Sequence, residues 1–326
     1  MDTFEYLRPQ LLDPAVAAGA EQHAYYIGGG TNLVDLMKGG IARPAQLVDV
    51  NHLGLDAVTE LPDGGLRIGA AARNSDVANN PVVRERYPLL SQALLAGASP
   101  QLRNMASVGG NLMQRTRCYY FYDAAFPACN KRAPGSGCPA VEGEHRNLAI
   151  LGHSEHCVAT HPSDMAVALA AFDATVRVVG SDGARDIPLV EFHRLPGDAP
   201  ERDTVLRDDE LIVAVDLPRL PVAARSRYRK VRERASFAFA LVSVAAALEV
   251  RDGRIADVRI AFGGLAHRPW RAAVAEDVLR GAVAGSEAFV AAADAELAAA
   301  RPLRDNAYKV GMAGAALVQT LEELAA

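Results

Sequence analysis

Apolar positions in the first fifty residues follow two different periods. Ala24-Tyr25-Tyr26-Ile27 is an unbroken apolar run that predicts a strand, and Gly28-Gly29-Gly30 ends it. Leu33, Leu36 and Met37 then recur at helical spacing behind Thr31 or Asn32, either of which suits a helix cap. Gln46 to Val50 alternates as a second strand, so this stretch reads as a small βαβ unit. Residues 66–70 read as another strand. Residues 82–96 read as one helix whose apolar face carries Val83, Tyr87, Leu90, Ala93 and Leu94. From 115 to 161 the pattern is irregular and rich in Gly, Pro, Cys and His, which in a compact protein calls for a functional reason or a staple. Beyond Pro162 the periodicity returns, with a helix over 165–172 and strands over 174–180 and 211–217. Pro218 and Pro221 mark a boundary. Past it come strands over 240–250 and 256–264, then Ala-rich helices over 271–299 and 306–325, with Ser286 as an N-cap. Strands first and helices last predict an α+β C-terminal domain, 218–326, after a first domain of 1–217.

Length and composition narrow the classes. A chain of 326 residues corresponds to about two domains. With 50% apolar and 22% charged residues it has the composition of a globular protein. The net charge of −5 provides no overall drive toward nucleic acid or an anionic membrane. No apolar run approaches the ~18 residues of a membrane span, and the N-terminus lacks a basic start followed by an apolar stretch. The expectation is a protein without membrane insertion and without an export signal of its own. Neither G-x-S-x-G nor H-E-x-x-H occurs.

Cysteine placement changes the picture more. All four cysteines, Cys118, Cys129, Cys138 and Cys157, fall within 40 residues. Without a secretory signal, a metal or cluster site is a better expectation than a disulfide framework. The spacing Cys118-x10-Cys129-x8-Cys138-x18-Cys157 contains no C-x-x-C pair, so zinc-ribbon templates fail. Four thiolates are the number that a [4Fe–4S] cluster needs, and Pro134-Gly135-Ser136-Gly137 supplies turns for a wrapping loop. Scattered structural cysteines are one alternative. A mixed Cys and His zinc site is another, since His145, His153, His156 and His161 lie in the same stretch. The aromatic run Tyr119 to Tyr122 reads as packing, or as a shield between a cluster and water.

The glycine run suits an anion. Glycines let the backbone approach a phosphate closely, and successive N–H groups before a helix supply positive potential. It is no Walker loop, lacking Lys-Ser/Thr, and no Rossmann fingerprint, because Leu33 stands at the third glycine. A capped glycine turn is the plain alternative. A second glycine pair, Gly109-Gly110, lies between Ser107 and Asn111. Two such loops suggest a long, bent dinucleotide held at both ends. Arg225, Arg227, Arg229, Lys230, Arg232 and Arg234 form a basic run read mainly as solvated or at a subunit interface, with 227, 229 and 231 on one strand face and 228, 230 and 232 on the other.

Ile27-Gly28-Gly29-Gly30-Thr31-Asn32-Leu33 resembles the "AGGTxL" pyrophosphate loop of the FAD-binding subunits of molybdenum hydroxylases, the xanthine dehydrogenase family, with Gly28 where Ala is usual. Arg103-Asn104, Ala106-Ser107 and Gly109-Gly110-Asn111 are similar to that family's second FAD loop. His161-Pro162-Ser163-Asp164-Met165 looks like its "PSD" segment, and Tyr228-Arg229-Lys230 like the start of its C-terminal flavoprotein domain. The likeness runs nearly end to end. It implies an α+β fold: an FAD-binding domain of the vanillyl-alcohol-oxidase (PCMH) type, followed by a domain with an antiparallel sheet and helices. It also implies that Ile27, Gly28, Gly29, Gly30, Thr31, Asn32, Leu33 and Val34 hold the FAD pyrophosphate. Ser107, Gly110 and Asn111 would make a second contact, Asp164 would bind a sugar hydroxyl, and Lys230 would approach the flavin.

Residues 111–118, 129–132 and 134–138 are similar to the cysteine-bearing insertion, here at about 115–160, of three-subunit bacterial aldehyde oxidoreductases of the periplasmic type. That likeness implies a [4Fe–4S] cluster on Cys118, Cys129, Cys138 and Cys157. It implies a large molybdopterin-binding partner where substrate is oxidised, a small [2Fe–2S] partner, a soluble electron acceptor, and a cytoplasmic or periplasmic home reached with a signal-bearing partner. The chain itself would carry no substrate-oxidising residue. A hydroxybenzoyl-CoA reductase or xanthine dehydrogenase subunit, a stand-alone flavin oxidase and a zinc-stapled scaffold remain the other readings.

Overall fold

Three β-sheets organise the chain, and the computed structural model describes all 326 residues. The first sheet contains β1 (Glu5–Leu7), β2 (Ala24–Ile27) and β3 (Gln46–Asp49) in the order β1-β3-β2, both pairings parallel. The helix Leu33–Lys38 crosses from β2 to β3, so the βαβ unit read from the sequence is present.

The second sheet is antiparallel. It comprises β4 (Val58–Glu60), β5 (Leu66–Gly69), β6 (Thr175–Gly180), β7 (Gly183–Pro188) and β8 (Leu211–Leu217), ordered β4-β5-β8-β6-β7. Between β5 and β6 the chain leaves the sheet, runs through six short helices and the irregular cysteine segment, and returns through the helix Asp164–Ala171. The helix expected over 82–96 is two helices, Pro81–Arg86 and Pro88–Ala96. Pro88 has no N–H to donate, and its ring pushes Tyr87 out of helical geometry, to φ −134° and ψ 52°. The apolar face survives the break: Val83, Tyr87, Leu90, Ala93 and Leu94 are all buried.

The third sheet is also antiparallel: β9 (Ser226–Val231), β10 (Val242–Arg251), β11 (Arg254–Gly263) and β12 (Trp270–Arg271), ordered β12-β11-β10-β9. Asp252 and Gly253, both at positive φ, close the β10–β11 hairpin. The helices Ala273–Leu279, Ser286–Leu297 and Tyr308–Ala325 follow. The helical stretch expected over 271–299 is two helices, separated by a turn around Gly281 at φ +76°. Gly285 occupies the N-cap position assigned to Ser286. Ser286 opens the helix instead and its hydroxyl bonds Glu322.

β10 is covered on both faces. Ala245 and Ala247 belong to a core of 37 buried residues shared with the second sheet and its helices, whereas Val242, Val244, Ala246 and Leu248 belong to a core of 23 beneath the C-terminal helices. The first core also takes in Tyr228 and Ala261, so the two halves of the chain share apolar packing. No helix is long and apolar enough to cross a membrane.

Candidate functional site

The glycine-rich motifs, far apart in sequence, are joined in series. A Cβ on Gly28 would lie 2.7 Å from Ser107 Oγ, and one on Gly29 would lie 1.8 Å from the Met105 carbonyl oxygen. The first loop therefore packs directly on the second. Gly30 sits at φ +70°, where side chains are strained. Asn51 donates to the Gly28 carbonyl at 3.0 Å, and Arg73 bridges Asn51 and the Met105 carbonyl at 2.9 and 2.6 Å. Ser107 Oγ caps the helix Val108–Leu112 by accepting from Gly110 N–H. Asn111 accepts a 2.6 Å hydrogen bond from Ser163, which itself caps the helix that Asp164 opens. Asp164 accepts from Tyr228 Oη at 2.5 Å and from Lys230 Nζ at 2.8 Å.

These loops line a cavity of about 840 Å³. Of the expected site residues, Thr31, Asn32, Gly110, Asn111, Asp164 and Lys230 reach its wall. Ile27 and Leu33 instead pack against the apolar cluster around the cysteines, and Gly28, Gly29, Gly30, Val34 and Ser107 shape the wall from behind. The backbone amides from Gly28 through Leu33 donate to no protein acceptor, leaving a row of free donors beside Thr31 and Asn32. Residues that carry no motif also line the cavity: Glu144, Arg146, Asn147, Leu148, Phe237, Ala238 and Phe239. Arg117 was missed as well, because the sequence shows its neighbour Cys118 but not the direction of the guanidinium.

Asp164 and Lys230 are a buried ion pair, with side chains 9% and 4% exposed. Burial and the adjacent Asp164 carboxylate push the Tyr228 hydroxyl well above its usual range, so it remains a donor. The basic run is divided: Arg225, Arg227 and Arg234 are exposed, whereas Arg229, Lys230 and Arg232 are at least half-buried. Arg227 and Arg229 both pair with Glu323 on the last helix, and Arg232 donates to the Ala96 carbonyl. The expected division of strand faces holds, with 227 and 229 toward the last helix and 228 and 230 toward Asp164.

Three of the four cysteines are buried, Cys138 is partly so, and all are free thiols. They share one apolar cluster with Leu36, Met37, Leu47, Tyr120 and Phe121. Burial raises the Cys118 thiol to about 11, the Cys157 thiol to about 12, and Cys138 as well. Backbone amides oppose this by pointing at sulfur: Tyr120 and Phe121 at Cys118, Ala140, Val141 and Val158 at Cys138, and Ala159 at Cys157. No three His, Cys, Asp or Glu side chains stand close enough to hold a single metal ion. Asn32 ties the two regions together, donating to Tyr122 Oη at 2.9 Å and accepting from the Arg115 amide at 2.9 Å.

Behind both regions lies a buried polar group. Lys131 Nζ donates to the Pro200 carbonyl and to His267 Nε2, each at 2.7 Å, and pairs with Asp203. Burial lowers His193 and His267 to about 4, and His161 also falls well below the usual range. These imidazoles are therefore neutral in the fold but titrate near 6.5 when unfolded. Between those values the unfolded chain binds more protons, so stability is full above 6.5 and is lost as pH falls toward 4. Each buried imidazole contributes up to about 1.4 kcal/mol per pH unit in that window. A thermal midpoint that stays flat between pH 7 and 4 would contradict the neutral buried state.

A PCMH-like lobe that carries the glycine loops, followed by a lobe built on an antiparallel sheet, is the architecture of a flavin-binding subunit. The chain belongs to the FAD-binding subunits of the molybdenum hydroxylases. The family model described as the FAD binding domain in molybdopterin dehydrogenase matches residues 2–220, and that of the CO dehydrogenase flavoprotein C-terminal domain matches 226–324. The chain is 50% identical to the aldehyde oxidoreductase FAD-binding subunit PaoB of Escherichia coli over 327 residues, covering 99% of this chain and 98% of that one. It is 26% identical to the carbon monoxide dehydrogenase medium chain of Hydrogenophaga pseudoflava over 318 residues, covering 95% and 93%. The solved carbon monoxide dehydrogenase from that organism superposes with a TM-score of 0.76 at 26% identity, covering 98% of this chain and 96% of that one.

Proposed function

We propose that the chain is the FAD- and [4Fe–4S]-carrying electron-transfer subunit of a three-subunit molybdenum-containing aldehyde oxidoreductase. The observation that carries the aldehyde reading is the 50% identity, end to end, with a subunit of an aldehyde oxidoreductase. In this reading residues 1–217 form the FAD domain, 218–326 form the flavoprotein domain, and about 115–160 is the cluster insertion. Substrate is oxidised in a large molybdopterin partner, and a small [2Fe–2S] partner links it to this chain. FAD, when bound, accepts electrons singly or in pairs and passes them to an external acceptor.

The chain's own residues supply position and electrostatics. Thr31 and Asn32, at the end of a loop whose amides are free of protein acceptors, would meet the diphosphate, Gly110 and Asn111 would face the same cofactor from the second loop, and Asp164 with Lys230 would form the polar wall toward the flavin. The thiol set supports the cluster: four free cysteines in one apolar enclosure, with backbone amides aimed at sulfur, an arrangement that favours thiolate once iron charge is present. Such a cluster spreads its ligands over several iron atoms, wider than the reach of a single ion.

Absorption spectra with metal analysis test this reading. Flavin bands with about four irons per chain are expected, and zinc without flavin would end the proposal. Cys138→Ser should lose most of the iron while keeping most of the FAD. Complete retention of iron in that variant would remove Cys138 from the ligand set.

A further inference from the structure

We propose that Arg117, contributed by the cysteine-bearing insertion, is the counter-charge for the diphosphate of FAD. This rests on reading the cavity as the FAD site. Arg117 lines that cavity. Its guanidinium lies over Tyr122, 5.2 Å from the ring centroid, and over Phe239, 4.9 Å from the centroid, and it donates to Tyr122 Oη. Its Nε is buried without a partner. It forms no ion pair, although Asp35, another cavity residue, lies within electrostatic reach.

A guanidinium desolvated among aromatic rings and lacking a carboxylate is costly unless an anion enters beside it. Tyr122 connects it to the glycine loop, because the same hydroxyl accepts from Asn32. The uncompensated cation therefore lines the same cavity as Thr31 and Asn32, whose backbone amides donate to no protein acceptor. The diphosphate is the only part of FAD that carries fixed negative charge, and a planar guanidinium suits bidentate binding of phosphate oxygens. Since Cys118 is the next residue, the insertion would be fastened to the cofactor by the same segment that contributes its first thiol.

The test is titration of flavin-free full-length chain with FAD and with riboflavin, which lacks phosphate, followed by flavin fluorescence. Wild type should bind FAD far more tightly than riboflavin. Arg117→Met should weaken FAD about 10- to 100-fold, the range of a charge-assisted hydrogen bond, and leave riboflavin nearly unchanged. Arg117→Lys, with iron content equal to that of Arg117→Met, should recover part of the FAD affinity. Equal weakening of both ligands, or equal FAD affinity in the Lys and Met variants, would overturn the proposal. A wild type that does not distinguish FAD from riboflavin would overturn it too, by removing the diphosphate reading of the glycine loop itself.

Discussion

Gly29→Val is expected to lower FAD content about tenfold or more while leaving the cysteine segment able to hold iron. The cause is contact between two backbones rather than crowding of the cofactor. A Cβ at 29 falls 1.8 Å from the Met105 carbonyl oxygen, 2.5 Å from its carbon and 3.1 Å from the Ala106 nitrogen. The Met105 carbonyl is held by Arg73 and cannot swing aside as a flexible side chain would. The two loops must separate, which costs on the order of 1–3 kcal/mol of packing and moves the free amides away from their ligand. One such increment, at about 1.4 kcal/mol per factor of ten, is enough for the expected loss. Gly311→Ala is the control: it lies inside the last helix with nothing within 4 Å of the added carbon, so flavin content should not change and stability should rise by about 0.5–1 kcal/mol. Flavin absorbance per chain after gel filtration measures both. Wild-type flavin content in Gly29→Val would show that the loops do not need this contact.

Lys230→Met should produce the largest loss of stability, about 3–5 kcal/mol, because it strands a buried carboxylate. Asp164 would keep only the Tyr228 hydroxyl as a charge-stabilising donor. The Ala96 carbonyl, which Lys230 also serves, would still be reached by Arg232, so the loss falls mainly on Asp164. The pair joins the helix Asp164–Ala171 to β9, and its loss loosens the contact between the two halves of the chain as well as the cavity wall. A fall in the thermal midpoint of roughly 10 °C is expected, with reduced flavin content. The double variant Asp164→Leu with Lys230→Met should recover part of the stability, since no charge is then left unpaired. A single variant as stable as wild type would show that the pair is solvated.

The residues that were readable in advance are those whose physics is local. Three consecutive glycines that end a strand and precede a helix are a short-range pattern, and the structure has that strand and that helix. Pro88 shows the limit even there. Its break of the helix at Tyr87 was available from local chemistry, but the continuous apolar face, buried on both sides of the break, outweighed it. Likewise the helical pattern over 271–299 concealed a turn at Gly281, because alanine is compatible with either side of it.

What required the tertiary structure is everything set by residues distant in sequence. β10 reads as a strand from its apolar run. Which alternate residues face which core depends on the helices that cover each side. The clustering of cysteines in 40 residues is visible in the chain, whereas the apolar enclosure around them is partly built by Leu36, Met37 and Leu47 of the βαβ unit. Gly29 reads as a phosphate-loop glycine, yet the atom that excludes a side chain there belongs to Met105. Arg117 reads as one arginine among many, and only folding desolvates it, leaves it without an ion pair and brings it to the cavity wall. Local backbone preference determines where strands, turns and caps begin. Contact and desolvation, which depend on the whole fold, decide which of those residues can hold a ligand.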